Sequence, residues 1–449
     1  MSSRPFTSVA LNRLMARSRR LVVVPIVGAV LLAACSSGGG DRVATENEPE
    51  VGAEVESDPS DTSAASASDV GLVNYTDTDA EVVAVEQTPS APRDESQPSG
   101  LDSWQDPTDA LPPPSIDLSV LRSGGPPPDG IPSIDEPVFH AAAGVDYLRS
   151  TDPVVALEIN GDARAYPLDI MIWHELVNDT VGGVPVSVAY CPLCNSVTVY
   201  EREIDGDVLD FGVSGLLYNS SLVMFDRQTE TLWSHFTGEP LYGPLVAAEL
   251  VSIPATIVGF GTWQAENPDG LVLNRQTGET RDYGANPYPG YDDVDASPFL
   301  FEGEVDGRFT AMTRVVGVEN DDGSVAAAFP LLELRESGVA TSSLGDEAAV
   351  AFWVPGSASA LDEQQVSGGV DVGSTGVFSP IVDGRSLTFA SSTDADGQVE
   401  ISDTETGSTW NIFGEATGGE LAGTRLDQFV HIDTFWFAWI AFHPDSEVA

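Results

Sequence analysis

Two stretches of this chain repeat the same order of short motifs, and this repetition constrains the fold more than any other feature. The first stretch contains "VVALEINGDARAYPL", "VSVAYCPLCNSVTVYERE" and "MFDRQTETLWSHFTGEPLYG". The second contains "RVVGVENDDGSVAAAFPL", "AAVAFWVPGSASALDEQ" and "ISDTETGSTWNIFGEATGGELAG" in the same order. Such self-similarity indicates duplicated units that bury their apolar faces against each other. We therefore predict a first copy over residues 126–299 and a degenerate second copy over residues 300–449.

Two pairs of tryptophans support the duplication. Trp233 and Trp410 are 177 residues apart, and Trp263 and Trp439 are 176 residues apart. Because duplicated units keep their scaffold residues, we expect each pair to occupy matching core positions, in halves that pack as pseudo-equivalents.

Local patterns indicate a strand-rich α+β fold with few short helices. Runs such as "PVVALEI", "VPVSVAY" and "SVTVYERE" contain β-branched residues and are separated by Asp-Gly and Gly-Gly turn signals. One helix is predicted from about residue 167 to residue 177, because Pro167 suits a first helical turn and "LDIMIWHEL" has helical apolar spacing.

The N-terminus has the pattern of a bacterial lipoprotein signal. Five arginines up to Arg20 precede the apolar run "LVVVPIVGAVLL" and the sequence "AAC". A charged start, a short apolar stretch and small residues before the cleavage site are typical of secretory signals, and "LLAAC" resembles a lipobox. We predict a signal peptide over residues 1–34 and lipidation of Cys35. The chain would then be lipid-anchored on the extracytoplasmic face of the cell membrane, with the membrane as its partner.

The segment that follows the signal is acidic and poor in large apolar residues. Residues 36–125 hold 19 Asp and Glu against three Arg, a composition that favours disorder. We predict a disordered tether over residues 35–125. Without residues 1–34 the chain has 14 arginines, no lysine and 70 carboxylates, a net charge of 14 − 70 = −56. Nucleic acid is therefore excluded as a partner.

Two of the three cysteines, Cys191 and Cys194, are found in "YCPLCNS" directly after a predicted strand. They could form a redox dithiol, half of a metal site, a local disulfide clip, or two small buried residues without chemistry. The second copy has "FWVPGSA" at the corresponding place, so it lacks both thiols although the flanking strand persists. The fold therefore does not require the thiols.

A redox dithiol is the leading hypothesis, with Cys191, Cys194 and His174 as its catalytic residues. The thiolate is the reactive form of cysteine, and a neighbouring imidazolium favours it electrostatically. His174 lies just upstream of the cysteine strand, and "DTVGGVPV" could fold the predicted helix back beside the thiols. The redox partner is unknown.

A soft-metal site is the first alternative. Thiolate and imidazole suit both copper and zinc, so the ligands would be Cys191, Cys194, His174 and His235. No cofactor is required by the sequence, and only one Cys-x-x-Cys knuckle exists where zinc ribbons use two. The second alternative is a non-catalytic surface protein with a local disulfide, which would be a weak stabiliser because its loop is so short.

Several blocks resemble one bacterial and archaeal family. "DGIPSIDEPVF", "GDARAYPLDIMIWHELVND", "GGVPVSVAYCPLCNS" and "NRQTGETRDYGANPYPGYD" are similar to the family catalogued as domain of unknown function 3179. The resemblance covers roughly residues 129–295 and extends more loosely into the second copy. It implies no reaction, because that family has none established.

Overall fold

The computed structural model describes residues 82–93, 95–320, 322–395 and 397–449. The predicted signal peptide, Cys35 and the first part of the predicted tether lie outside the described residues. Within the described part of the chain, no helix is long and apolar enough to cross a bilayer.

An N-terminal segment and the first copy come first in the chain. The segment contains a short helix and three short strands: β1 (Val82–Val83), α1 (Gly100–Ser103), β2 (Arg122–Ser123) and β3 (Phe139–Ala141). The first copy follows: β4 (Pro153–Ile159), β5 (Asp162–Pro167), α2 (Leu168–His174), β6 (Leu176–Val181), β7 (Val184–Cys191), β8 (Ser196–Glu201), β9 (Glu203–Ile204), β10 (Asp207–Val208), β11 (Phe211–Tyr218), β12 (Ser221–Asp226), β13 (Leu232–Ser234), β14 (Pro240–Tyr242), β15 (Thr256–Gly259), α3 (Phe260–Glu266) and β16 (Leu271–Leu273).

The second copy repeats this order of elements. Residues 274–313, here called the linker, contain no named helix or strand and connect the copies. The second copy then contains β17 (Arg314–Glu319), β18 (Ala326–Pro330), α4 (Leu331–Ser337), β19 (Val339–Leu344), β20 (Glu347–Val354), β21 (Ser374–Phe378), β22 (Ile381–Val382), β23 (Arg385–Ser386), β24 (Phe389–Thr393), β25 (Val399–Asp403), β26 (Thr409–Trp410), β27 (Ala416–Gly418), β28 (His431–Phe435), α5 (Trp436–Phe442) and β29 (Glu447–Val448).

Sheet pairing follows the same duplication. The order β15-β4-β5-β16 in the first copy corresponds to β28-β17-β18-β29 in the second, and in each the last pair is parallel. The meander β6-β7-β8 corresponds to β19-β20-β21. The strand-rich fold predicted from the sequence is confirmed, with short helices and many small sheets.

The tryptophan pairs occupy equivalent positions. The indole N–H of Trp233 donates to Asp226 at 2.9 Å, and that of Trp410 donates to Asp403 at 3.0 Å. Trp263 and Trp439 are each the fourth residue of the helix that follows β15 or β28. These matches fix the alignment of the two copies residue by residue around β13 and β26.

Each large hydrophobic cluster contains residues from both copies. The cluster around the cysteines combines β7 and β8 with Phe435 to Ile440 of the second copy. A second cluster combines Val154, Phe260 and Trp263 of the first copy with Phe352 and Phe378 of the second. The copies therefore share these two clusters, while a smaller cluster around Phe329 and Trp353 lies within the second copy alone.

The predicted tether is wrong for residues 82–125. Strand β1 pairs with β3, and β2 pairs with β11. Leu111, Leu118 and Leu121 are buried in a cluster with strands of the first copy. The segment is polar on average, but these few leucines are placed where they cover the apolar outer side of β11 to β14.

Helix α2 places the residues that precede the cysteine strand. Its seven residues begin after Pro167, and Leu168, Ile170 and Met171 are buried. It ends earlier than predicted because Glu175 adopts a left-handed conformation with φ of 60°. The chain then turns directly into β6, which pairs antiparallel with the cysteine strand β7.

Candidate functional site

The two cysteines bracket the tight turn between β7 and β8. Cys191 is the last residue of β7 and pairs with Ser196, the first residue of β8. Asn195 has φ of 52°, which closes the turn. Both thiols are free, and both residues are buried, with 1% exposure for Cys191 and 0% for Cys194.

Hydrogen bonds distinguish the two sulfurs. The Cys194 Sγ lies 2.9 Å from the Ser196 Oγ and 3.5 Å from the Ser221 Oγ. The Cys191 Sγ accepts from the Leu222 backbone N–H at 3.4 Å. Burial and the neighbouring Cys194 raise the pKa of Cys191 well above its ordinary value. Burial also opposes ionisation of Cys194, but hydrogen bonds from Cys191, Ser196 and Ser221 outweigh it and lower the pKa of Cys194. Cys194 is therefore the thiol that ionises first.

A chain of hydrogen bonds extends from Cys194 to His235. The Ser196 Oγ lies 2.9 Å from the His235 Nε2, and the Thr198 Oγ1 lies 3.1 Å from the His235 Nδ1. When Cys194 is a thiol, its S–H donates to Ser196, which donates to Nε2. When Cys194 is a thiolate, Nε2–H donates to Ser196, which donates to the sulfur. In both protonation states of Cys194, the sulfur, the Ser196 hydroxyl and the His235 Nε2 each have a hydrogen-bond partner. This is possible because the neutral imidazole can carry its proton on either nitrogen.

His235 acts in this chain as a neutral ring. Burial lowers its pKa to about 3, and its side chain is fully enclosed. His235 therefore contributes to this chain through hydrogen bonds of the neutral ring and not through a positive charge. From the sequence, His235 was predicted only as a ligand of the alternative metal site.

His174 faces away from the hydrogen bonds of the thiols. Its Nδ1 is 2.7 Å from the Pro132 carbonyl, and its Nε2 is 2.7 Å from the Tyr283 hydroxyl. Its ring stacks with that of Tyr283. Burial lowers the pKa of His174 as well. Among the described residues neither ring nitrogen contacts a sulfur, so the expected hydrogen bond between His174 and the cysteines is not formed.

The next residue, Glu175, is hydrogen-bonded through its backbone to the cysteine strand. Its backbone carbonyl accepts from the Tyr190 N–H at 2.8 Å, which places it beside the end of the cysteine strand. Burial and the charge of Cys191 raise the pKa of Glu175 well above its ordinary value. Glu175 adjoins His174 in the sequence but was not among the predicted site residues.

The linker and the second copy cover the cysteine turn. The Tyr291 hydroxyl donates to the Leu193 carbonyl at 3.0 Å. From the other side, the Thr434 hydroxyl and the Phe435 N–H donate to the Cys194 carbonyl at 2.7 and 3.2 Å. The thiols therefore lie under a cover that the linker and the second copy form.

The predicted metal ligands are not brought together. Across the described ranges, no group of three or more His, Cys, Asp or Glu side chains is arranged to hold a metal ion. Both nitrogens of His174 and both nitrogens of His235 have other hydrogen-bond partners. The four residues proposed as copper or zinc ligands thus do not form a metal centre in this arrangement.

The second copy keeps the scaffold of the site and loses its polar residues. The backbone N–H of Trp353 donates to the Gly338 carbonyl at 2.9 Å, just as the backbone N–H of Tyr190 donates to the Glu175 carbonyl. Trp353 therefore corresponds to Tyr190, which shifts the alignment made from the sequence by one residue. The short turn after β7 is replaced by residues 355–373, which leaves Cys194 without a counterpart. The replacements are Gly338 for Glu175, Val354 for Cys191 and Ile412 for His235.

The fold and the site define the class of this protein. It is a duplicated, strand-rich protein in which one copy contains a buried dithiol. The family described as "Protein of unknown function (DUF3179)" matches residues 128–446. The chain belongs to this family, and the match includes both copies. No curated protein and no solved structure matches the chain.

Proposed function

We propose that this protein is a lipid-anchored, extracytoplasmic thiol–disulfide redox protein that uses Cys191 and Cys194. The observation that supports the proposal is the free dithiol itself. Its two sulfurs differ in environment, and only Cys194 is hydrogen-bonded to a serine that continues to a histidine. A nucleophilic thiol is activated by hydrogen bonds that lower its pKa, and Cys194 has these.

The reaction is the reduction of a disulfide in a substrate. The Cys194 thiolate attacks one sulfur of the substrate disulfide, forms a mixed disulfide and releases the first substrate thiolate. Cys191 then attacks the Cys194 sulfur, so that the Cys191–Cys194 disulfide forms and the second substrate thiolate leaves. Two electrons pass from the dithiol to the substrate.

The comparison of the two copies supports chemistry over packing. Cysteine, histidine and glutamate are replaced together by valine, isoleucine and glycine, while the Trp–Asp hydrogen bond of the scaffold remains. Burying polar side chains lowers the stability of a fold unless their interactions compensate for it. The second copy folds without these polar side chains, so their presence in the first copy indicates a use other than folding. We attribute that use to the dithiol.

Burial of the thiols requires an opening step. The linker holds the turn through Tyr291, and it has no regular secondary structure of its own. Segments of this kind open locally at lower cost than core strands. In the proposed reaction the linker moves away from the turn before the substrate enters.

Membrane attachment is part of the proposal and is tested separately. It rests on the signal pattern over residues 1–34 and on Cys35. We expect Cys35→Ser to release the protein from the membrane fraction of cells. Retention of this variant in the membrane fraction would contradict lipid anchoring.

The redox proposal is tested by equilibrating the folded protein with glutathione buffers. We expect exchange with a reduction potential above about −300 mV, because inert structural disulfides lie below that value. The double variant Cys191→Ser/Cys194→Ser is the control and should show no exchange while melting as a folded protein. A potential below this limit, or no exchange in the wild type, would refute the proposal.

A further inference from the structure

The second copy has a long loop at the place where the first copy has its cysteines. Four residues, 192–195, connect β7 to β8, whereas nineteen residues, 355–373, connect β20 to β21. Residues 355–373 are called the replacement loop below. This loop is closely packed, since Ser357, Ser359 and Leu361 are at most 1% exposed. A long loop is uncommon in a compact fold, and one that is packed in place usually has a function.

The replacement loop binds the linker through the backbone. The two segments run antiparallel, as paired strands do, with Ala285 opposite Gln365. Four hydrogen bonds from N–H to carbonyl, with lengths of 2.6 to 3.1 Å, join Val366 to Gly284, Asn286 to Gln364, Gly290 to Asp362 and Tyr291 to Leu361. The linker is therefore attached to the second copy at the stretch that covers the cysteine turn.

A largely buried ion pair secures the end of this contact. The Asp292 carboxylate of the linker lies 2.9 Å from the Nη2 of Arg314, the first residue of β17. The Ser359 hydroxyl of the replacement loop donates to the Asp292 carboxylate and accepts from Arg314 at 2.6 Å. The side chains of Asp292 and Arg314 are 8% and 17% exposed. Because the hydrogen bonds to the carboxylate and from the guanidinium are charge-assisted, they are stronger than neutral ones.

The same contacts continue to the cysteine turn. Tyr291 precedes the ion-paired aspartate, and its hydroxyl donates to the Leu193 carbonyl. Its ring lies edge-on to that of Phe435, with 6.1 Å between the ring centroids, and the Phe435 N–H donates to the Cys194 carbonyl. The Arg314 guanidinium lies over the same Phe435 ring at 5.6 Å. The ion pair, the linker and the cysteine turn thus form one continuous set of contacts.

We propose that the replacement loop is a latch that holds the linker closed over the dithiol, through Asp292, Arg314 and Ser359. The inference rests on the proposed function, since it assigns to the second copy the control of access to the same two thiols. The linker backbone is bonded to the replacement loop, whereas its hydrogen bonds to the first copy include those of two side chains, Trp173 and Tyr291. Weakening the bonds to the replacement loop should therefore free the linker to leave the cysteine turn.

The experiment measures how fast iodoacetamide alkylates Cys191 and Cys194 in the reduced full-length protein, followed by peptide mass analysis. Buried thiols react in molecules whose cover has opened locally, so the rate is proportional to the open fraction. Asp292→Asn removes the charge of the latch and keeps its shape. We expect alkylation to speed up by about 10- to 100-fold, since one hydrogen bond to a charged group changes an equilibrium by about this factor.

Two further variants separate opening of the latch from other effects. Ser359→Ala leaves every charge in place, so faster alkylation in this variant reports opening and not thiol acidity; we expect a smaller rise in the same direction. Glu158→Gln is the matched control, because it breaks the 2.8 Å ion pair with Arg425, which joins the copies outside the linker and the replacement loop. It should keep the wild-type rate. All rates are measured over a series of low urea concentrations, because global unfolding depends steeply on urea and local opening does not.

A wild-type alkylation rate in Asp292→Asn or Ser359→Ala would overturn the latch, as would an equal acceleration in Glu158→Gln. An acceleration that rises steeply with urea would also overturn it, since the whole fold would then be opening. The redox function is judged separately by glutathione exchange of the wild type. If that exchange is absent while the latch variants are alkylated faster, the redox function fails and the control of access by the second copy stands.

Discussion

Replacing Ser196 with alanine is the sharpest test of the hydrogen-bonded chain beside Cys194. Ser196 is fully buried, and its hydroxyl lies 2.9 Å from both the Cys194 sulfur and the His235 Nε2. The change removes one donor to the thiolate and leaves the imidazole nitrogen without its partner. The β-strand pairing of Ser196 with Cys191 uses the backbone and is retained.

The expected size of the effect follows from the charged hydrogen bond. A hydrogen bond to a charged group contributes about 1.5 to 3 kcal/mol. Because one pKa unit corresponds to about 1.36 kcal/mol, we expect the pKa of Cys194 to rise by about one to two units. Ser221→Ala removes a longer contact of 3.5 Å to the same sulfur and should produce the smaller rise.

The pH dependence of stability has a definite sign. The pKa of Cys194 is lowered in the folded protein, so this group stabilises the fold above the pKa of an unfolded thiol, about 8.5. That contribution is lost as pH falls through the lower folded pKa. The cost of Ser196→Ala should therefore be larger at alkaline pH than at acidic pH, where only neutral hydrogen bonds are lost.

The assay combines urea unfolding over a pH series with ultraviolet titration of the thiolate. Cys191→Ser serves as the background for the titration, so that one thiolate is observed. An unchanged pKa of Cys194 in Ser196→Ala would refute the activation by hydrogen bonds. Equal shifts in Ser196→Ala and Ser221→Ala would show that the chain to His235 has no special part.

Two further predictions concern the cover of the thiols and the scaffold. Tyr291→Phe removes the hydroxyl that donates to the Leu193 carbonyl at 3.0 Å, so the linker should open more often. Alkylation of the thiols should speed up by about fivefold, since loss of one hydrogen bond costs about 1 kcal/mol. An unchanged alkylation rate would contradict the role of the linker as a cover. Arg164→Met should lower the free energy of unfolding by about 3 to 5 kcal/mol, because it leaves the Asp179 carboxylate buried and without the guanidinium that now lies 2.6 Å away. Denaturant unfolding measures this change, and a loss below 1 kcal/mol would contradict the prediction.

Repeated motifs predicted the scaffold well because the duplicated residues have identical physical roles. Trp233 and Trp410 each donate to an aspartate at the start of the preceding turn, and the spacing alone indicated the match. The extent of the tether was harder to predict. Average composition describes the solvation of a whole segment, whereas a few buried leucines and two short strand pairings hold the described residues between 82 and 125 against the rest of the protein.

The choice between His174 and His235 shows why site geometry was less predictable. His174 is near the cysteines in sequence, but helix α2 turns its ring towards Pro132 and Tyr283. His235 is distant in sequence, and its contact with Ser196 depends on tertiary packing. Glu175 did have a detectable signal, since aligning the helix ends of the two copies places it against Gly338. That signal needed the correct register, which the sequence alignment missed by one residue.

The sharing of cores between the copies determines the order in which the molecule is completed. The Thr434 hydroxyl that holds the Cys194 carbonyl lies 240 residues further along the chain. Contacts between such distant residues form late, because the chain entropy lost in closing the intervening loop must first be offset. A nascent or refolding chain therefore has its cysteine turn built before the C-terminal strand arrives to seal it. During that interval both thiols are open to any oxidant, so the ease of oxidising this protein records how far its folding has advanced.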